Sequence, residues 1–389
     1  MRKTVLFYCQ HSIGIGHLVR SFALVNSLKK SFHVTLVSGG DFPKGMKVPE
    51  GINFVQLPAI GVDVNNNLMA IGTDESTYNV MKLRQKKILH VYDEIQPDIF
   101  ISEYFPFGKV QFMGELLPLL KRSKSSDKPM HVVCSLRDIL EPNSMAKKMQ
   151  QDFSVKIINE YYDGILVHGD ESLITLDKTC PQLDRLIVPI HYTGYVTDQQ
   201  YSPKIARETF KEIVLSAGGG KIAPPFICKM VRSFKKFGFG EGATLKVIAG
   251  PIYPNDDWES LQELVKDEPN ITLIRSVESL SELWKQARLS ISPGGYNTLM
   301  ELICSRIPAL IIPHRNESNS EQEIRAIRLQ EEGLAMTIEF NNSSEEELAV
   351  AVRKALDFVP ADKELNLNGA ENTRIIIEEK FREYSNDHS

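Results

Sequence analysis

Residues 289–323, LSISPGGYNTLMELICSRIPALIIPHRNESNSEQE, combine residue types that could hold an anionic ligand. An apolar stretch, 289–292, stops at Pro293-Gly294-Gly295, and helical spacing then runs from near Thr298 to Pro308. A second apolar stretch, 308–313, leads through a polar loop into helical spacing from about Glu321. Strand, glycine turn, helix is the arrangement in which unpaired N–H groups at a helix N-terminus meet a phosphate. Gly294 and Gly295 would let that phosphate approach the backbone closely. Glu301 stands one turn into the helix, where a carboxylate could accept both hydroxyl protons of a ribose diol. Thr298-x-x-Glu301 is equally the pattern of a capping box, in which Glu301 bonds back to the Thr298 N–H. Spacing alone leaves both readings open.

Two more glycine turns follow apolar runs. Ser12-Ile13-Gly14-Ile15-Gly16-His17 puts a histidine at the mouth of the first, where an imidazole could act as a general base. The dinucleotide fingerprint G-x-G-x-x-G is absent, and His17 could equally cap or line the helix that follows. An imidazole base must be neutral, which sets an acid limb near pH ~6.5 if its pKa is unperturbed. Glu103, in Ile101-Ser102-Glu103-Tyr104-Phe105-Pro106-Phe107-Gly108, is a second candidate base. The aromatics beside it could form an acceptor platform, although aromatics after a strand more often cover the core. His11 is a weaker candidate of the same kind. The third turn, Gly218-Gly219-Gly220, precedes Lys221 and would admit a diphosphate, the alternative being a flexible loop. No D-x-D, H-E-x-x-H, G-x-S-x-G or P-loop pattern occurs. Helix N-termini rather than a metal ion are therefore expected to stabilise a leaving group, and no metal ligands or cofactor are assigned.

The elements that must position these residues alternate. Strand-like runs recur at 4–9, 33–38, 53–58, 99–103, 131–135, 164–167 and 186–190, with helical spacing between most of them. Gly194 and Pro203 interrupt the series, and a second begins with 212–216 and continues to about 358. This predicts an α/β chain of two Rossmann-like parallel-sheet domains, 1–196 and 197–364, followed by a helical segment, 365–389.

At 389 residues the chain exceeds one ordinary domain core. Its five cysteines are scattered, odd in number and without C-x-x-C spacing, so neither a disulfide framework nor a zinc site is indicated, which fits a reducing cytoplasm. The net charge of −5 argues against nucleic acid. No apolar run approaches the roughly 20 residues of a membrane span. Residues 1–196 carry 22 basic and 20 acidic side chains, so the acidic excess lies in the remainder. That asymmetry permits the N-terminal domain to approach an anionic acceptor or the inner face of a membrane, and a solvated exterior explains it equally.

The run SPGGYNTLMELICSRIPALIIPHRNESNSEQEIRA resembles the donor-binding segment of glycosyltransferase family 28, especially the type that adds N-acetylglucosamine to the lipid-linked peptidoglycan precursor. The resemblance implies the GT-B fold, with two Rossmann-like domains facing across a cleft and a C-terminal helix that crosses back to the first. It places ribose recognition on Glu301 and donor-sugar contacts on Glu321 and Gln322, where the family usually carries two glutamines. It matches Val277 to the position whose backbone reads the base, and it sets His17 toward the acceptor. Gly14, Gly16, Gly218, Gly219, Gly220, Gly294, Gly295 and Thr298 complete the implied donor-binding set.

The expectation is an inverting, metal-independent glycosyltransferase using a nucleotide-sugar donor, UDP-linked and of the UDP-N-acetylhexosamine kind. The acceptor, lipid-linked, glycan or small molecule, leaves no readable signature. A UDP-sugar epimerase or hydrolase of the same fold is one rival, and a non-catalytic nucleotide-sugar binder is the other.

Overall fold

Apolar and β-branched runs form the strands, and helices follow most of them. The computed structural model describes residues 2–11, 16–43, 45–63, 67–140, 145–197, 200–218, 224–277, 279–313 and 320–387, with backbone alone at 145–148 and 381–387. The chain divides into unit 1, Met1–Asp198 with Leu365–Ser389, and unit 2, Gln199–Glu364.

Unit 1 comprises β1 (Thr4–Cys9), α1 (Gly16–Leu28), β2 (His33–Ser38), β3 (Asn53–Gln56), the hairpin β4 (Ile60–Val62) and β5 (Leu68–Ala70), α2 (Thr77–Ile95), β6 (Ile99–Glu103), α3 (Met113–Lys124), β7 (His131–Arg137), α4 (Met145–Tyr161), β8 (Gly164–His168) and β9 (Ile190–Tyr192). Its main sheet has the order β3-β2-β1-β6-β7-β8-β9, all parallel. The two-residue period of β1 sends Leu6 and Tyr8 into one core and Val5, Phe7 and Cys9 into another on the opposite face. A parallel sheet covered on both faces follows from those continuous apolar strands.

Unit 2 comprises β10 (Glu212–Ser216), α5 (Pro224–Phe237), β11 (Thr244–Ile248), α6 (Asn255–Val265), β12 (Ile271–Ile274), α7 (Ser281–Trp284), β13 (Ala287–Ser292), α8 (Tyr296–Ser305), β14 (Ala309–Ile311), α9 (Glu321–Glu331), β15 (Met336–Thr337) and α10 (Glu345–Leu356). Its sheet order is β12-β11-β10-β13-β14-β15, again parallel. The strand order therefore reverses between β1 and β6 in one unit and between β10 and β13 in the other. Ligands of open parallel sheets bind at the carboxyl ends of the strands beside such a break.

The last helix, α11 (Gly369–Asp387), belongs to unit 1. It packs on α1, where Ser27 Oγ donates to Glu371 Oε2 at 2.9 Å and Arg374 Nη1 donates to Ser31 Oγ at 2.9 Å. The returning chain is laced to the departing one. Tyr195 N donates to Asn366 O at 2.7 Å, and Val196 bridges Asn368. Glycine is required at 369, since a Cβ there would lie 2.4 Å from Gly194 O.

Two elements differ from the sequence expectation. The strand predicted at 186–190 is displaced to β9, because Pro189 offers no N–H to a ladder; its carbonyl instead accepts from Ile165 N at 3.0 Å. The β4–β5 hairpin was not anticipated, its three-residue strands being too short to show an alternating pattern.

Candidate active site

β1 and β6 are neighbours in register, Tyr8 opposite Ser102, so the helix entered after β1 and the last residue of β6 meet at one sheet edge. There His17, on the first turn of α1, lies with Nδ1 2.6 Å from Glu103 Oε1. Arg20, three residues along the same helix, ion-pairs with the same carboxylate oxygen. Glu103 and the Arg20 side chain are wholly buried, whereas the imidazole keeps 18% of its surface. Burial alone would push the Glu103 carboxyl up, but His17 and Arg20 outweigh it and hold the group at about 2. A carboxylate only accepts, so Nδ1–H of His17 donates and Nε2 keeps a free lone pair. Burial drives His17 down to about 3, with Glu103 pulling it upward and Arg137 and Lys109 pushing it further down. The imidazole is therefore neutral in the neutral pH range and oriented by a fixed anion, the logic of a base with a carboxylate behind it.

Glu103 thus backs His17 instead of rivalling it, since a carboxyl with no exposed surface reaches an acceptor only through the imidazole. His11 also drops out as a base: it is 4% exposed, and its Nε2 lies 2.8 Å from Asp41 O. Phe105 and Phe107 are core residues, not an acceptor platform. Of its aromatics Tyr104 lies beside His17, the ring centroids 5.8 Å apart, on left-handed backbone. Gly16 opens α1. Gly14 falls outside the described residues.

In unit 2 the carboxyl ends of β10, β12, β13 and β14 share one edge. Gly218 follows β10 with φ +65°, a left-handed conformation that glycine adopts without strain. Gly219, Gly220 and Lys221 lie outside the described residues. Val277 follows β12 and is half-buried. After β13, Gly295 is the N-cap of α8 and no side chain caps the helix start. Thr298 is then the third residue of α8 and Glu301 the sixth, so the Thr298–Glu301 capping box does not form; both are half-buried. Gly294 packs tightly, a Cβ there lying 3.1 Å from Gln322 O. Gly295 has ordinary dihedrals and open space around its Cβ position. Nothing within the protein therefore demands glycine at 295. At the start of α9, Glu321 is 8% exposed and ion-pairs with the fully buried Arg325 at 2.7 Å, while Gln322 is half-buried.

Glycine turns, uncapped helix starts and a carboxylate-backed imidazole on doubly wound sheets have clear counterparts among known proteins. The glycosyltransferase family 28 C-terminal domain matches residues 229–379. The UDP-N-acetylglucosamine–N-acetylmuramyl-(pentapeptide) pyrophosphoryl-undecaprenol N-acetylglucosamine transferase of Thermotoga neapolitana is 30% identical over 88 residues, 23% of this chain and 26% of that enzyme. The enzyme of the same description from Oenococcus oeni is 23% identical over 83% of this chain and 81% of its own length. The crystal structure of Acinetobacter baumannii MurG has a TM-score of 0.62 at 14% identity, covering 97% of this chain and 99% of that one. The chain is similar to family 28-type glycosyltransferases, and its fold is that of the GT-B enzymes. Its match to the Thermotoga enzyme spans about a quarter of that protein.

Two arginines beside these residues had no place in the sequence reading. Arg20 had a readable signal, the spacing H-x-x-R that puts both side chains on one helix face. Arg325 had another, four residues after Glu321 at the start of a helix. Among the described residues no group of three or more His, Cys, Asp or Glu is arranged to hold a metal ion.

Proposed function

We propose that the protein transfers a sugar from a UDP-linked donor, of the UDP-N-acetylhexosamine kind, to an acceptor hydroxyl with inversion and without a metal ion. The observation that carries this reading is the His17–Glu103–Arg20 cluster, a neutral imidazole with a free Nε2 held by a buried, ionised carboxylate. Nε2 takes the proton of the acceptor hydroxyl as its oxygen bonds to the anomeric carbon. The bond from that carbon to the β-phosphate oxygen breaks in the same displacement, and its electron pair leaves with UDP. Charge growing on the diphosphate is met by N–H groups at the uncapped start of α8 and at the Gly218 turn. Glu301 takes the ribose hydroxyls and Gln322 the donor sugar.

A lipid-linked acceptor reached from the inner face of a membrane fits one surface of unit 1. α2 exposes Tyr78 and Leu83 among Lys82, Lys86 and Lys87, an apolar and basic face of the type that lies on anionic headgroups. No helix among the described residues is long and apolar enough to cross a membrane.

The test is release of UDP from UDP-N-acetylglucosamine, UDP-glucose and UDP-galactose, with and without a lipid extract as acceptor source, in buffer and in EDTA. Acceptor-dependent release that survives EDTA is expected. Release without acceptor would mark a hydrolase, binding without release a carrier, and loss on chelation reversed by magnesium or manganese would end the metal-free mechanism.

A further inference from the structure

Arg325, in the second turn of α9, is fully buried. Arg325 makes contacts to three segments of unit 2. Its Nη2 donates to Glu321 Oε1 at 2.7 Å, in the first turn of α9. Its Nη1 reaches Gly294 O at 3.5 Å, in the turn after β13. Its guanidinium lies 5.4 Å from the ring centroid of Tyr296, the first residue of α8. The turn and α9 also touch directly, because the space where a Gly294 Cβ would sit is bounded by Gln322 O at 3.1 Å and Gln322 Cβ at 3.4 Å. Two helix starts, each carrying partial positive charge, are thus held side by side with a cation beneath them. Of the two acidic residues in the first turn of α9, Glu321 and Glu323, Glu321 is buried, and its ion pair with Arg325 keeps that carboxylate turned inward.

We propose that Arg325 is a positioning residue that sets the distance between the diphosphate cradle at α8 and the sugar-reading first turn of α9. The proposal rests on the donor reading given above. It has a specific corollary: Glu321, held inward by Arg325, is a support, and Gln322 beside it makes the contact to the sugar. The planar fork of arginine is needed because one guanidinium must meet a carboxylate, a carbonyl and a ring face at once. Lysine supplies the charge but one point of contact. The nucleotide half of the donor, read by the α8 start and by the segment after β12, does not depend on the α8-to-α9 spacing.

The experiment is titration calorimetry of UDP and of UDP-N-acetylglucosamine, UDP-glucose and UDP-galactose against the full chain and its Arg325→Lys, Arg325→Gln and Glu321→Gln variants. In the unaltered protein the sugar is expected to add affinity over UDP for at least one donor. Arg325→Gln should lose about tenfold or more for that donor while UDP affinity shifts less than about threefold. Glu321→Gln should lose less, because its amide can still accept from Arg325, and Arg325→Lys should fall between. Equal losses for UDP and UDP-sugar, or no loss in variants with unchanged melting temperature, would overturn the positioning role. If Arg325→Gln does not fold, the Arg325→Lys and Glu321→Gln ratios decide the matter. Failure of the unaltered protein to bind any of the four compounds is a different result, since it removes the donor reading itself.

Discussion

Units 1 and 2 each gather polar groups beside the break in strand order, yet of opposite kinds. At the β1–β6 break titratable and charged side chains gather: a neutral His17, the Glu103 carboxylate and the Arg20 guanidinium lie within a few ångströms of one another. At the β10–β13 break the candidate groups are backbone N–H groups and glycines, and of the nearby charges Glu321 and Arg325 pair with each other. A single histidine, His314, falls in residues 199–364. The difference fits the two halves of the displacement proposed above. Removing a proton needs a titratable group with a tuned pKa, whereas receiving a diphosphate needs fixed dipoles that do not reorganise as charge arrives.

The comparison breaks most visibly at His17. His17→Ala should lower turnover by roughly 10²–10⁴-fold while leaving UDP affinity unchanged, because the base belongs to one unit and the nucleotide to the other. The pH profile sharpens this. The base must be neutral, and burial holds the His17 pKa down at about 3, so the acid limb should lie well below the unperturbed ~6.5. Glu103→Gln removes an influence that raises the His17 pKa, so its residual activity should show a limb displaced further to acid. It should also destabilise unit 1 by about 3–5 kcal/mol, since Arg20 is left buried without its anion. Near-normal turnover in His17→Ala with the same acid limb would remove the histidine from the mechanism.

A smaller effect is expected at Glu301. Its capping-box role is excluded by the N-cap at Gly295, which leaves ribose recognition as the reading to test. Glu301→Ala should weaken UDP binding by about 1.5–3 kcal/mol, the worth of a hydrogen bond to a charged group, and Glu301→Gln by less. Unchanged UDP affinity with a lowered melting temperature would make Glu301 structural after all.

The same contrast explains what the sequence could and could not disclose. Glycine turns between an apolar run and helical spacing are local, and Gly16, Gly218, Gly294 and Gly295 fall where that pattern puts them, at helix starts or strand ends. The His17–Glu103 pair joins residues 86 positions apart, and only the adjacency of β1 and β6 brings them together. Read separately they looked like competing bases; in place, one orients the other. For Glu321, likeness to a sugar-binding position says nothing of the ion pair with Arg325 one turn later, which the fold adds. The β4–β5 hairpin had no local signature at all, each strand being three residues long.

The finest test compares two adjacent glycines. At 294 an added methyl would press on Gln322 O at 3.1 Å and Ile311 Cγ2 at 3.3 Å, so Gly294→Ala strains the fold before any ligand is considered. At 295 the backbone, φ −65° and ψ 138°, suits any residue and the Cβ position is open. Two opposing terms act on stability there. Alanine is a poorer N-cap than glycine, but it also restricts the unfolded chain, worth about 0.4–1 kcal/mol in its favour. They nearly cancel, and the melting temperature of Gly295→Ala should move by no more than a degree or two on the scale of a few degrees per kcal/mol. UDP binding should respond differently, since a diphosphate drawn to the N–H groups of α8 must pass the place where the methyl now sits. A loss of UDP affinity at constant stability would show that glycine is kept at 295 for the ligand. Unchanged affinity would move the diphosphate away from the start of α8, and the leaving-group half of the mechanism would then rest on the Gly218 turn alone.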